Sequence, residues 1–235
     1  MNEQLLKNII INIINRYPES GEKSAADILD TLIATKLSQN TTDKASFVAY
    51  NNLKKRFKTW ENVSKAKLSE IKKEIQICGL ANTKAAQIKN MLNLMKHNYG
   101  ELNLDFMKKM DNEEIYAELL KYKGIGYKTI SCVLVFSLGR SVFPVDTHIH
   151  RVLNRIGVLK TKTPDETFWE ASKIIPDKFK MKLHTAIIKF GREICKALNP
   201  VCSSCMITKY CRYPEKNFSV RTFPKKNDFI ILENI

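Results

Sequence analysis

The sequence contains no apolar run long enough to cross a membrane. Its most hydrophobic stretch, Ile9 to Ile14, is broken by Asn12, flanked by Asn8 and Asn15, and followed by no small-residue cleavage site. A membrane span and a secretory leader are therefore both rejected, and an intracellular, reducing location is expected. In that setting the six cysteines read as metal ligands or buried thiols before they read as disulfides. Sustained period-two alternation is also missing before the last segment, which leaves little for a β-sheet. Internal repeats, low-complexity tracts and flexible linkers are absent. Acidic residues are scarce: 24 stand against 39 lysines and arginines, giving a formal charge of +15. Such a surface favours a polyanionic partner, because phosphate binding releases counterions, although a basic solvated face without a partner gives the same count.

What is present is helical periodicity almost throughout, so an all-α fold is expected. Leu5, Ile9 and Ile13 mark a first helix and Ile28, Leu29, Leu32 and Ile33 a second, separated by Tyr17-Pro18-Glu19-Ser20-Gly21. Further helices are predicted over 43–57, 65–77, 83–99, 112–122, 127–138, 147–155, 165–174 and 178–197. From Phe218 the composition shifts to Val220, Phe223, Phe229, Ile230, Ile231 and Leu232 around a Pro-Lys-Lys turn, which suggests a docked strand or extended arm.

The chemistry concentrates around residue 125. Asp111 with Glu114 forms a capping-box start, and Ile115, Leu119 and Leu120 give that helix its buried stripe. Gly124-Ile125-Gly126 then turns tightly into a second helix carrying Ile130, Val133, Leu134 and Ser137 on one face. Two glycines around an apolar residue allow close packing and turn backbone amides outward, so a phosphate could sit there; a simple helix–helix connection fits equally well. Lys128 falls in the first turn opposite the apolar stripe, where the helix dipole and neighbouring cations disfavour the ammonium form and favour a nucleophilic amine. Downstream, Asp146 is placed to cap a helix burying Ile149, Val152, Leu153 and Ile156, and this helix should stop at Gly157. A cap by itself is a sufficient reason for that aspartate.

Together, Lys123-Gly124-Ile125-Gly126-Tyr127-Lys128-Thr129 and Val145-Asp146-Thr147-His148-Ile149-His150-Arg151-Val152 resemble the helix–hairpin–helix base-excision glycosylases, specifically their endonuclease III branch. The likeness runs from about Ala25 to Tyr213. It implies two helical domains with a DNA-binding cleft between them: a six-helix barrel-like domain over 23–139 containing the hairpin, and an iron–sulfur domain from 1–22 and 140–215, leaving 216–235 as a tail. It also implies a lysine nucleophile at Lys128 and a catalytic carboxylate at Asp146, acting on double-stranded DNA that carries damaged bases or abasic sites, with the protein working as a monomer. Cys78-Gly79-Leu80-Ala81-Asn82-Thr83-Lys84 is similar to the loop that the family pushes into the duplex, which makes Leu80 the candidate wedge and Lys84 a DNA contact. Leu37 to Asp43 resembles the segment bearing an inserting amide; Asn40 is preferred over Gln39, and Asp43 is expected as an N-cap. Gly124, Ile125, Gly126, Lys123 and His148 complete the expected DNA-facing set. His148 and His150, two apart on a helix, point to different sides and make a poor metal pair; His150 is expected to face solvent or DNA.

Cys195, Cys202, Cys205 and Cys211 are spaced Cys-x6-Cys-x2-Cys-x5-Cys, which implies a metal centre. Spacing alone leaves zinc and a four-iron cluster both open; the resemblance implies a [4Fe-4S] cluster that holds a basic loop with Lys196, Lys209 and Arg212. Cys78 and Cys132 read as core thiols. Three departures stand out: Tyr122-Lys123 where the family often has Leu-Pro, Lys36 where an apolar residue is usual, placed either to line the pocket or, as its favoured destination, to reach solvent, and Thr35 where adenine-removing relatives carry a carboxylate. The implied reaction is removal of oxidised pyrimidines through a Schiff base, followed by strand cleavage. Mismatched thymine or uracil, modified cytosine, and a non-catalytic DNA-binding module are the alternatives.

Overall fold

The computed structural model describes residues 3–18, 26–219 and 230–235. Among them no strand occurs; eleven α-helices carry the fold. They divide into two compact units, one of Met1–Glu22 with Ser141–Asp228 and the other of Lys23–Arg140 with Phe229–Ile235. The Glu19 to Gly21 part of the expected breaker, and Val220, Phe223, Phe229 and the Pro-Lys-Lys turn of the tail, lie outside the described residues.

The first unit assembles α1 (Glu3–Arg16), α9 (Thr147–Ile156), α10 (Pro164–Ile174) and α11 (Asp177–Glu193). Helices α1 and α9 both pack on α11, and Ile9, Ile10 and Ile13 of α1 are buried, as are Ile149, Val152, Leu153 and Ile156 of α9. The interrupting asparagines of α1 leave the apolar residues on one face, which is why this segment is an amphipathic surface helix rather than a span. Helix α9 begins where Asp146 accepts the Ile149 amide at 2.8 Å and ends at Gly157, whose φ is +79°. A Cβ there would lie 2.7 Å from Arg212 Cδ, so the helix stop and the segment after Cys211 need glycine for both conformation and space.

The second unit is built around α2 (Ile28–Leu37), in which every residue except Asp30 is buried. A helix enclosed on nearly all sides has no broad polar face to alternate with its apolar one, so its apolar content rather than its periodicity marks it as a core element. Against it pack α3 (Asp43–Phe57), α6 (Ala81–Tyr99) and α8 (Tyr127–Cys132), while α4 (Trp60–Lys65) and α5 (Leu68–Ile75) reach the core through α3 and α6. Helix α7 (Asn112–Leu119) leads into α8 and starts with the expected capping box, both bonds being 2.8 Å.

Several boundaries differ from the sequence reading. The 65–77 prediction spans what are two elements, α5 and a short 3-10 turn over Gln76–Cys78, while α4 before them carries no readable period. Helix α8 gives way after Cys132 to a wider π-turn over Val133–Ser137, all of it buried. This turn brings Ser137 Oγ to 2.8 Å from Thr31 Oγ1 on α2. Thr42, not Asp43, caps α3, accepting the Ala45 amide at 3.2 Å. Asp43 is thereby released to accept the Ile231 amide at 3.2 Å. The described end of the tail is accordingly a 3-10 turn, Ile231–Glu233, with Ile230, Ile231 and Leu232 buried on α2 and α3, rather than a strand.

The Gly157 geometry predicts that Gly157→Ala will lower stability by about 1–2 kcal/mol from left-handed backbone strain alone, with more if Arg212 must move. Urea denaturation read by far-ultraviolet circular dichroism checks this; an unchanged midpoint contradicts it.

Candidate functional site

The hairpin is built by short backbone bonds. After α7, the Tyr122 amide donates to Leu119 O at 3.2 Å and the Ile125 amide to Tyr122 O at 3.1 Å. Gly124 turns the chain with φ +82°, and Gly126 stands as the N-cap of α8, its carbonyl accepting the Ile130 amide at 3.1 Å. Ile125 is buried while Lys123, Gly124 and Gly126 are exposed, so the apolar middle residue anchors the loop and leaves the glycine backbone at the surface. The unusual Tyr122 is buried here. Its hydroxyl donates to Tyr99 Oη at 2.9 Å and accepts from Asn98 at 3.2 Å, and Tyr99 donates onward to Glu118 at 2.6 Å. Burial and the Glu118 bond push the Tyr99 phenol far above its ordinary pKa, so that hydroxyl stays protonated and donates to Glu118.

Lys128 is the second residue of α8 and is half-buried beside buried Thr129 and Ile130. Asp146, half-buried, lies in the other unit, as do His148 and His150. Arg151 donates to His148 Nδ1 at 3.1 Å, to Gly191 O at 2.9 Å and to Cys195 O at 3.2 Å, which ties the histidine to α11 and to the start of the cysteine segment. His150 places its Nδ1 2.6 Å from Thr167 Oγ1 on α10. It is half-buried, so beside any solvent-facing side it has a polar partner on the neighbouring helix.

The second unit brings together the hairpin and both loops of the expected duplex-probing set. Leu80 is 58% exposed, with φ +49°, directly after Gly79 at φ +66°. A left-handed leucine costs about 1–2 kcal/mol, so its outward presentation is imposed by its surroundings rather than by its own preference. Asn40 is likewise left-handed, φ +53°, and exposed, whereas Gln39 is half-buried with Nε2 3.4 Å from Gly124 O. Lys84 departs from expectation. It is only 3% exposed, and its Nζ donates to Leu37 O at 2.7 Å and Cys78 O at 2.8 Å, so it is a strut beneath the loops and not a DNA contact. Lys36 also departs: it is 4% exposed, and its Nζ donates to Gly124 O at 3.0 Å. Burial drives the pKa of both ammonium groups down, and the Lys84 charge adds to the effect at Lys36. The outward-snorkelling expectation for Lys36 fails because a hairpin carbonyl is available inside the unit.

The four cysteines line one apolar pocket together with Ile156, Phe190, Ile194 and Pro200. Arg155 reaches 3.9 Å from Cys195 Sγ, donates to Lys196 O and to Ala197 O, the latter at 2.8 Å, and stacks over the Tyr213 ring at 4.6 Å. Burial raises the Cys195 thiol, and Arg155 and Arg151 oppose that shift, a charge arrangement suited to thiolates. Among the described residues no three side chains converge as single-ion ligands would. Four sulfurs around one shared pocket are a donor set that a metal centre bound by cysteines would use.

Residues 33–177 match the HhH-GPD superfamily of base excision DNA repair proteins. The chain belongs to this family. Within it, endonuclease III of Thermotoga maritima is 31% identical over 209 residues, covering 89% of this chain and 93% of that protein. A putative DNA glycosylase of Arabidopsis thaliana is 37% identical over 186 residues, covering 79% of this chain; the match spans 61% of the plant protein. A trapped covalent intermediate of endonuclease III with DNA superposes with a TM-score of 0.77 at 28% identity, covering 90% of this chain and 96% of that one. A thermostable thymine-DNA glycosylase shares the fold, with a TM-score of 0.74 at 22% identity, 89% of this chain and 96% of that one being covered. The family placement is therefore in the endonuclease III branch. Among the described residues no helix is long and apolar enough to cross a membrane.

Within this HhH-GPD chain the residues that sequence reasoning missed are the inward roles of Lys36 and Lys84, the Tyr99–Tyr122 pair and Arg155. Lys36 carried a signal, since it interrupts the apolar run of α2 one residue before Leu37. A Cβ on Gly124 would lie 2.2 Å from Lys36 Nζ, in addition to the positive φ. Gly124→Ala is accordingly expected to weaken duplex binding by about tenfold or more, from strain of about 1–2 kcal/mol and loss of the Lys36 bond. Fluorescence anisotropy with a labelled duplex measures it; unchanged affinity contradicts the hairpin assignment.

Proposed function

We propose that this base-excision DNA glycosylase with lyase activity takes oxidised pyrimidines in duplex DNA as its substrates, with Lys128 as nucleophile and Asp146 as the carboxylate partner. The observation that carries the reading is the local frame of Lys128: a half-buried lysine two residues after the second glycine of a hairpin whose backbone is presented at the surface. A trapped covalent complex in the related endonuclease III is the kind of intermediate an amine nucleophile forms.

A base stacked in a duplex hides its glycosidic bond, so it must first be extruded, at a cost of a few kcal/mol. In this reading Leu80 fills the vacated space, Asn40 or Gln39 engages the opposite strand, and the glycine backbone at 124–126 with exposed Lys123 holds phosphate without reading sequence. The neutral Lys128 amine attacks C1′; the C1′–N bond to the base breaks and its electron pair leaves with the base. Asp146 stabilises positive charge building on the sugar and accepts the proton released by the amine. Ring opening gives a Schiff base, and loss of a proton from C2′ expels the 3′ phosphate and nicks the strand.

For the cysteine segment, a [4Fe-4S] cluster on Cys195, Cys202, Cys205 and Cys211 is the proposed occupant, supported by the shared pocket and by the adjacent arginines. When bound it would supply structural cross-linking of this segment rather than any step of the excision. Purified protein should carry iron and acid-labile sulfide in equal amounts; stoichiometric zinc with neither would replace the cluster.

Borohydride reduction during reaction with a thymine-glycol duplex is expected to give a covalent protein–DNA complex that Lys128→Ala abolishes. Asp146→Asn separates cap from charge, because asparagine caps a helix as well as aspartate does. It should preserve the fold yet slow excision by roughly two orders of magnitude, the scale of a lost transition-state electrostatic contact. A lesion panel completes the test: cleavage confined to mismatched thymine or uracil would overturn the substrate assignment, and binding without cleavage of any lesion or abasic site would overturn the mechanism.

A further inference from the structure

Two almost fully buried lysines in one unit, close enough for one charge to depress the other's proton affinity, form a costly arrangement. Their ammonium groups are met by main-chain carbonyls. A carboxylate in that place would have offset the charge but would also have repelled a phosphate backbone. The carbonyls are not scattered. Leu37 O closes α2 immediately before Ser38, Gln39 and Asn40; Cys78 O immediately precedes Gly79 and Leu80; Gly124 O lies in the hairpin. Lys84 therefore bridges the roots of the amide loop and the leucine loop, which stand 47 and 6 residues from it in sequence. Both loops end in strained left-handed residues, Asn40 and Leu80, each conformation persisting only where its surroundings over-determine it.

We propose that Lys84 is a positioning residue for base extrusion: its ammonium, shared between Leu37 O and Cys78 O, holds the amide loop and the leucine loop in one register so that both enter the duplex as a single unit. Lys36 extends the same register to the hairpin through Gly124 O. The inference rests on the reading that these loops enter the duplex. It differs from a DNA-contact role for Lys84, because the side chain faces inward and its donors are engaged by backbone. A charge-assisted bond to each carbonyl gives directional restraint that an apolar side chain of equal length cannot supply.

The test compares substrates that differ only in whether a base must be unstacked. Lys84→Met keeps the aliphatic stem and removes the donors. Single-turnover excision from a paired lesion is expected to fall about tenfold or more, while nicking of a preformed abasic site changes by no more than about threefold. In a Leu80→Ala background the Lys84→Met change should cost clearly less than in the wild type, because one of the two elements it holds in register is gone. Equal loss on both substrates, or full additivity with Leu80→Ala, would overturn the proposal in favour of a general packing role. Should Lys84→Met fail to fold, Lys84→Gln carries the same comparison with a donor that spans less of the gap. Insertion is also read without excision: a 2-aminopurine opposite an abasic site should brighten on binding wild-type protein and less with the Lys84 variant. If wild-type protein excises no paired pyrimidine lesion yet produces that fluorescence difference, the substrate reading fails and the positioning role stands. Equal fluorescence from wild type and variant sinks the positioning role whatever the substrate.

Discussion

The last turn of α2 and the ammonium groups beneath it are the constraint on which the second unit depends. A helix enclosed on nearly every side has no solvent to satisfy the carbonyls at its C-terminus, and unmet they would each cost a few kcal/mol. Lys84 meets Leu37 O, and the same ammonium meets Cys78 O on the adjoining loop. One residue thus solves a burial problem at the end of a core helix and sets the root of a loop carrying an exposed, strained leucine. Lys36, from the same turn, meets Gly124 O in the hairpin. Core packing and the geometry of the two loops and the hairpin are in this way a single matter of carbonyl satisfaction.

Much of this was legible beforehand where local chemistry decides. Helix α3 was predicted over its observed residues because polar Thr42-Asp43 precede an apolar pattern that ends with Phe57, and the α7 capping box was read from Asp111 and Glu114. Asp146 as cap and Gly157 as stop follow from the same kind of signal. Where sequence reasoning failed, distance along the chain or the lack of a period was the reason. The π-turn over Val133–Ser137 lies in a uniformly apolar run that offers no phase to detect. The inward course of Lys84 depends on a carbonyl 47 residues away, and that of Lys36 on one 88 residues away, which no local rule can anticipate. The contact of His150 with Thr167 is a third instance, its partner lying 17 residues on and on another helix. The C-terminal segment became a buried 3-10 turn because Asp43, not being needed as a cap, offered its carboxylate to the Ile231 amide.

The first unit shows a related economy. Helix α9 carries Asp146 at its start and Arg151 and Arg155 in its later turns, and these arginines hold the carbonyls and the sulfur of the segment that begins at Cys195. The aspartate proposed for chemistry and the arginines that steady the cysteine pocket therefore share one rigid helix, closed at Gly157 against Arg212.

Three lysines now have distinct places in the second unit: Lys128 half-buried on α8, and Lys36 and Lys84 enclosed with their ammonium groups on carbonyls. Peptide mapping by mass spectrometry of the reduced protein–DNA adduct distinguishes them directly. The account predicts the deoxyribose remnant on Lys128 alone. A remnant on Lys36, Lys84 or the chain's terminal amine, with Lys128 unmodified, would contradict it.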